Sequence, residues 1–326
     1  MPLSSTADAF LAANGFAGAA AEPVAADWSA RAFWRVTAGE ARAILMHWPD
    51  GAVADLPRLA RLFADHGVRV AAVLAVDAAA GLALMEDVGL LTAAEQVDAG
   101  APAAPLMTAA VDLLIALHRA CPAPPADVPR FDAGTAAGRA ARFCDWYLPS
   151  AGRPVPAAAR DEFLRAWETV WPAAEAVPLT LVHYDFHLGN MIAGDGGLAL
   201  IDFQDAVAGP VAFDLACLLQ DVRRDYDPAL LAGLRDRYLA AFPALPPERL
   251  DRAVAVIGAQ RATQILGNLG RARIEGRLRP RQRGDIARAW ARLERNLDHP
   301  VLAGVKPWYD RHAPPESRRP ASMGDG

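Results

Sequence analysis

A chain of 326 residues is more than one small hydrophobic core needs and suits two lobes or domains. Its 53% apolar and 22% charged residues, with Pro and Gly dispersed rather than clustered, exclude the disordered and fibrous classes. The net charge of -5 and the pI near 5.8 argue against nucleic acid and acidic membrane surfaces as partners.

The first predicted element is a helix over Ser5 to Asn14, stopped by Gly15 in the left-handed conformation that ends many helices. These opening residues carry neither a basic region nor a long apolar run, so no secretory signal is expected. Phe33 to Thr37 and Ala43 to Met46, joined through Gly39, read as a β-hairpin. A helix capped by Asp55 follows, with Pro57 in its first turn, Leu59, Leu62 and Phe63 on its apolar face, and Gly67 at its end. Val70 to Val76 and Leu82 to Met85 read as two further strands. Arg69 and Asp77 interrupt the apolar stretch Val68 to Met85, which therefore does not read as a membrane span. The chain then crosses Glu86-Asp87-Val88-Gly89. Strands, a helix, strands and a short polar crossing are the order of a protein-kinase small lobe and its hinge. Residues 1–87 are thus expected to form a small α+β lobe with an antiparallel sheet, covering a nucleotide.

Beyond Gly89 the pattern is mainly helical, and residues 88–326 are expected to form a larger lobe. Pro105 to Ala120 carries Leu106, Val111, Leu114, Ile115 and Leu117 near helical spacing, and the Pro-rich stretch Cys121 to Pro129 reads as a loop. Helices are predicted around Thr135 to Leu148 and Ala157 to Trp171, and a strand at Leu179 to Val182. Met191 to Ala193 and Leu198 to Ile201 flank Gly194-Asp195-Gly196-Gly197, a hairpin signal. From Val211 onward only helices are predicted, with a frayed polar end after Pro314. Cys121, Cys144 and Cys217 are far apart and lack CxxC spacing, so they read as buried free thiols of a cytoplasmic protein rather than zinc ligands or a redox pair.

Chemistry concentrates in Leu179 to Asp221. His183-x-Asp185-x-x-x-x-Asn190 has the catalytic-loop spacing of kinases, and the hairpin after it delivers Asp202 at the end of an apolar strand. In phosphoryl transfer a carboxylate accepts or orients the acceptor hydroxyl proton, while a carboxamide and a second carboxylate hold the Mg²⁺ that bridges the ATP phosphates. The spacing assigns Asp185 as base and Asn190 and Asp202 as metal ligands, with ATP and Mg²⁺ as cofactors. His183 reads as a structural brace of the loop. Asp214 is either a second brace, through backbone N–H groups, or an ordinary acid at a helix N-terminus.

On these residues the chain resembles the aminoglycoside phosphotransferase and choline kinase superfamily. Within it the resemblance is greatest to the bacterial anomeric kinases of N-acetylmuramate and N-acetylglucosamine used in cell-wall recycling. Asp202-Phe-Gln-Asp-Ala206, Gly209-Pro210 and Asp214-Leu215 carry this resemblance, together with Ser29 to Arg35, Leu45-Met46, Glu86 to Gly89, Leu117-His118-Arg119, Phe143 to Leu148 and Gln260-Arg261. The resemblance implies a two-lobed protein-kinase-like fold, with adenine held by backbone groups near Glu86 and Val88, and an amino sugar as acceptor.

Two departures stand out. Tyr184 follows the catalytic-loop His, where the family usually has Arg or Gly. The lysine that normally holds the α- and β-phosphates is also missing: the chain has one lysine, Lys306, and Met46 stands near the usual place. The helix from Asp55 to Gly67 lacks the partner Glu as well. Arg31 and Arg35 are either the cations that meet the phosphates, since guanidinium is a good phosphate donor, or solvated arginines of an arginine-rich chain. On the acceptor side, Trp146 and Tyr147 are either a stacking platform under a sugar or core aromatics, and Asp205 either accepts a sugar hydroxyl or serves a turn. The run Arg271 to Arg283 reads as a solvated basic face rather than a site for an acidic substrate group. A kinase of another alcohol, such as an aminoglycoside or a choline-like acceptor, and a nucleotide-binding pseudokinase are the competing readings. A monomer is expected.

Overall fold

The computed structural model describes residues 3–24, 31–48, 53–194, 196–315 and 318. Of the segment Ser29 to Arg35, the first two residues lie outside the described residues, as does Asp195 of the hairpin turn. Contacts divide the chain into two compact units: Met1–Ala120 with Leu188–Asp205, and Cys121–His187 with Ala206–Gly326.

The first unit opens with the helix Ser5–Ala13, whose Ser4 cap accepts the N–H of Ala7 and which Gly15 ends at φ +86°. An antiparallel sheet follows: β1 (Ala20–Val24), β2 (Ala32–Ala38), β3 (Ala41–His47), β4 (Val73–Asp77) and β5 (Leu82–Glu86), in the order β1-β2-β3-β5-β4. β1 was not legible in sequence, because AAEPV lacks the β-branched and aromatic run that marks a strand. Pro23 is accommodated because β1 is an edge. Strand alternation sends Trp34, Val36, Ala43, Leu45 and Leu84 to one face, where they pack with Phe10, Leu11 and Phe16. The paired residues Phe33, Met46 and Ala83, and Arg35, Ile44 and Met85, share the opposite face.

Helix Leu56–Asp65 buries Leu56, Leu59, Ala60 and Phe63. Asp55 does not cap it as the sequence suggested. The preceding 3-10 turn Val53–Asp55 leaves Asp55 in the right-handed helical conformation, and its carboxylate takes the Arg58 guanidinium at 2.6 and 2.7 Å instead of the helix N–H groups. Helix Ala103–Ala120 is the only one among the described residues long and apolar enough to cross a bilayer. Its Met107, Ala110, Val111 and Leu114 are wholly buried, as in the core helix of a compact protein.

The hairpin of β7 (Met191–Gly194) and β8 (Gly197–Leu200) belongs to this unit although it lies far along the chain. Leu200 N–H donates to Arg69 O at 2.8 Å, Ala71 N–H donates to Leu200 O at 3.2 Å, and Gln96 donates to Ala193 O at 3.2 Å. The compact units therefore do not divide at residue 87; these long-range bonds tie the hairpin to the segment leading into β4 and to the helix Ala93–Asp98.

In the second unit β6 (Leu179–Val182) pairs antiparallel with β9 (Val207–Pro210). The rest is helical around Pro247–Ile274, a 28-residue helix. That helix carries glycine where backbone approaches: a Cβ on Gly267 would stand 2.5 Å from Arg142 C, and one on Gly270 would stand 2.5 Å from Tyr147 Cα. The segment lying over these glycines includes a π-helical turn, Phe143–Tyr147. Lys306, at the start of the last helix, pairs with Asp298 at 2.8 Å.

Candidate active site

In the second unit β6 runs into His183, Tyr184 and Asp185, and β9 runs into the helix Ala212–Leu219, so the strand pair delivers the loop and Asp214 together. Asp214 accepts the backbone N–H of His183 at 2.7 Å and of Tyr184 at 3.0 Å. Those bonds hold a strained residue, since Tyr184 has φ +83°. Its hydroxyl donates to Gln264 at 2.9 Å, and its ring lies against Phe213 and beneath the Arg261 guanidinium, 4.6 Å from the ring centre. Burial pushes the Asp214 carboxyl up to about 7, against the pull of its two backbone donors and Arg261.

Asp185 follows on the same turn. Arg261 Nη2 donates to its Oδ1 at 2.7 Å, His187 Nε2 lies 3.3 Å from Oδ2, and Arg223 Nη2 lies 3.9 Å from Oδ2. Burial raises the Asp185 carboxyl, but His187, Arg223 and Arg261 more than offset it and hold the group well below the usual carboxylate range. With 30% of its side chain exposed, Asp185 is an ionised acceptor in a fixed orientation, open to a hydroxyl donor.

In the first unit the 3-10 turn Leu188–Asn190 leads into β7, and Ile201 N–H donates to Asn190 O at 3.0 Å just beyond β8. That bond closes the base of the hairpin and brings the backbone of Asn190 beside that of Asp202. Asp202 has φ +63°, and Phe203 after it is buried against Phe63. Arg31 Nη1 pairs with Asp202 Oδ1 at 2.7 Å, and its guanidinium lies over Trp48 and Phe33. Gln204 donates to the same Asp202 oxygen at 3.0 Å and to Asp205, which is exposed, at 3.2 Å.

Asn190 and Asp202 carry oxygen atoms of the hard type that Mg²⁺ takes, which keeps them candidate ligands. The guanidinium at Asp202 shows that this carboxylate already holds positive charge. No cluster of three His, Cys, Asp or Glu occurs among the described residues; a Mg²⁺ held by one or two protein side chains needs none, because water and phosphate complete its shell.

Other candidates fall elsewhere. Arg35, expected on the phosphates, is engaged at the hinge: it donates to Asp87 at 2.7 and 3.3 Å and to Gly89 O at 2.9 Å. Glu86 pairs with Arg69 at 3.0 Å, Val88 is half-buried, and Met46 is buried on β3. Tyr147 is enclosed, stacked on Phe143, and its hydroxyl accepts from Trp290 at 2.6 Å, so it offers no face to a sugar. Trp146 is half-buried with Arg271 over its ring. In the basic run, Arg271 and Arg277 both pair with Glu275. His183 is wholly buried. Sequence reading missed Arg261 and Arg223 as partners of Asp185. Gln260-Arg261 was visible only through the family resemblance, and Arg223 carried no signal.

A carboxylate fixed by a buried guanidinium in the second unit, and a carboxamide and a carboxylate at the base of the hairpin in the first, are the residue types that phosphoryl transfer uses, and the antiparallel sheet with a helical remainder is of the protein-kinase-like α+β class. The chain belongs to the phosphotransferase enzyme family, whose model matches residues 20–250. The N-acetylmuramate/N-acetylglucosamine kinase of Caulobacter vibrioides is 34% identical over 95% of this chain and 97% of its own length. The protein of that name from Pseudomonas aeruginosa is 29% identical over 83% of this chain and 82% of its own. Among solved structures, a choline/ethanolamine kinase family protein from Mesorhizobium loti shares the fold with a TM-score of 0.61, at 20% identity, over 92% of this chain and 98% of its own. Spectinomycin phosphotransferase, solved with ADP and spectinomycin, gives a TM-score of 0.61 at 10% identity, over 94% of this chain and 98% of its own.

Proposed function

We propose that this protein is a cytoplasmic, monomeric kinase that uses ATP and Mg²⁺ to phosphorylate the anomeric hydroxyl of N-acetylmuramate or N-acetylglucosamine. The observation that carries the chemistry is the pairing of Asp185 with buried Arg261, which keeps an ionised, oriented acceptor at the catalytic loop. The 34% identity to the Caulobacter vibrioides kinase over nearly the whole chain supports the choice of acceptor.

In this reading the sugar hydroxyl donates its hydrogen bond to Asp185 as its oxygen attacks the γ-phosphorus in line. The bond from that phosphorus to the β–γ bridging oxygen breaks, ADP leaves with the electron pair, and the proton passes to Asp185. A loose transition state asks the protein mainly for position and charge. A magnesium ion held by Asn190 and Asp202 would supply charge neutralisation at the phosphates. Arg31, beside Asp202 and packed on Trp48, is the cation that takes the place of the absent lysine.

ADP release from purified protein, ATP and Mg²⁺ tests the assignment. Release on adding N-acetylmuramate or N-acetylglucosamine, with the 1-phosphate as product, is the expected result. Release with choline or an aminoglycoside but with neither amino sugar would transfer the enzyme to another acceptor, and nucleotide binding without turnover would make it a pseudokinase.

A further inference from the structure

The amino-sugar reading leaves open what distinguishes an amino sugar from another alcohol, and the inference here rests on that reading. In the second unit a small recess is walled by Asp185, His187, Gln220, Asp221 and Arg223 among others. One guanidinium links two of its carboxylates. Arg223 Nη1 donates to Asp221 Oδ1 at 3.0 Å, while Nη2 lies 3.9 Å from Asp185 Oδ2. The backbone N–H of Arg223 donates to the same Asp221 oxygen at 3.1 Å.

Both donors therefore converge on Oδ1 and leave Oδ2 buried with no hydrogen-bond donor, on a side chain only 2% exposed. A buried carboxylate oxygen without a donor is disfavoured, so this wall of the recess is incomplete by itself. An ionised carboxylate can only accept, so what completes it must carry an N–H or O–H.

We propose that Asp221 Oδ2 accepts the N–H of the acceptor's 2-acetamido group while Asp185 takes the hydroxyl on the neighbouring carbon. The two donors of an amino sugar sit on adjacent carbons, a short step apart. Asp221 and Asp185 both border the recess, and Arg223 lies between them, against Oδ1 of the one and Oδ2 of the other. Asp221 is thus the specificity-determining residue for the acetamido group. An acceptor with no donor at that carbon leaves Oδ2 buried and unpaired, the arrangement by which polar sites reject close analogues most strongly.

The test compares kcat/KM for N-acetylglucosamine with that for its ketone analogue, in which a CH₂ replaces the amide N–H, using the full chain and its Asp221→Ala variant. The native protein is expected to prefer the amide by roughly 10- to 100-fold, the range of a hydrogen bond to a charged group. In Asp221→Ala that preference is expected to disappear. Equal kcat/KM for the two sugars in the native protein, or a preference that survives in the variant, overturns the role of Asp221 and leaves the sugar-kinase reading intact. Failure of the native protein to turn over either amino sugar overturns both. Should Asp221→Ala not fold, a crystal structure of the native protein with N-acetylglucosamine decides. An amide nitrogen within hydrogen-bond distance of Oδ2 supports the proposal, and a water in its place overturns it.

Discussion

Asp185 is held by partners brought from distant parts of its unit, Arg261 and Arg223 among them. Asp185→Ala is expected to lower kcat by about 10²- to 10⁴-fold, the usual yield of a positioned base, while ATP affinity measured by calorimetry stays near native. Near-native turnover in that variant would remove the base assignment. Arg31→Met is expected to weaken ADP binding by about 10- to 100-fold, as loss of a charge-assisted contact does, with adenosine binding unchanged and Arg31→Lys recovering part of the loss. An equal effect on adenosine would place Arg31 in support of the fold instead. Asp185, Asn190 and Asp202 could be named as candidates because their relation is local: a fixed spacing within one loop and hairpin. Arg261 could not, since it reaches Asp185 from 76 positions away and one arginine in an arginine-rich chain carries no pattern. The Arg35–Asp87 pair was not legible for the same reason, because a basic residue on a strand reads alike whether it meets a phosphate or a carboxylate.

At the scale of elements, the strand pair β6–β9 and the helix after it matter because they set Asp214 against the backbone of the loop. Asn at this position has one acceptor oxygen for two N–H groups, so Asp214→Asn is expected to cost about 1–3 kcal/mol in chemical unfolding. The pH dependence has a definite sign. The native carboxyl is pushed up to about 7 while the unfolded one titrates near its ordinary value, so the native state binds the proton more tightly. That contribution to stability is complete below about pH 4 and is lost as pH rises through about 7. The Tm of the native protein relative to Asp214→Asn should therefore fall between pH 5 and 8. A gap that widens would mean that the ionised form is the better fit to the loop. Glycine contacts give a second element-scale prediction. Gly270→Ala drives a Cβ into the backbone of Tyr147 at the π-helical turn and is expected to lower stability by about 1–3 kcal/mol or more, read from the unfolding midpoint. Helices and strands with strong periodicity were legible; β1 and β9 were not, being short and poor in β-formers, and the π-helical turn leaves no mark in a helical pattern.

At the scale of the molecule, the antiparallel sheet and the helical remainder followed from the order of the predicted elements. The discontinuous first unit did not, because backbone bonds such as that between Leu200 and Arg69 depend on which strand edge is vacant, and no residue type announces an edge. The division predicts how the protein opens. In native-state hydrogen exchange, the amides of Met191 to Leu200 should share the opening free energy of the five-stranded sheet rather than that of the helices after Ala206. Gly89→Ala, whose Cβ would stand 2.7 Å from Ile192 Cγ2 at φ +146°, should speed exchange in both the hairpin and the sheet. Exchange in the hairpin that follows the later helices would contradict the division.

The one lysine side chain of this sequence is already tied to Asp298 on the C-terminal side. Nucleotide reagents that tag kinases by acylating the amine beside the phosphates would therefore find no amine to modify there, and a survey built on them would pass this enzyme by. Dicarbonyl reagents selective for guanidinium groups should inactivate it instead, with ATP slowing the reaction at Arg31.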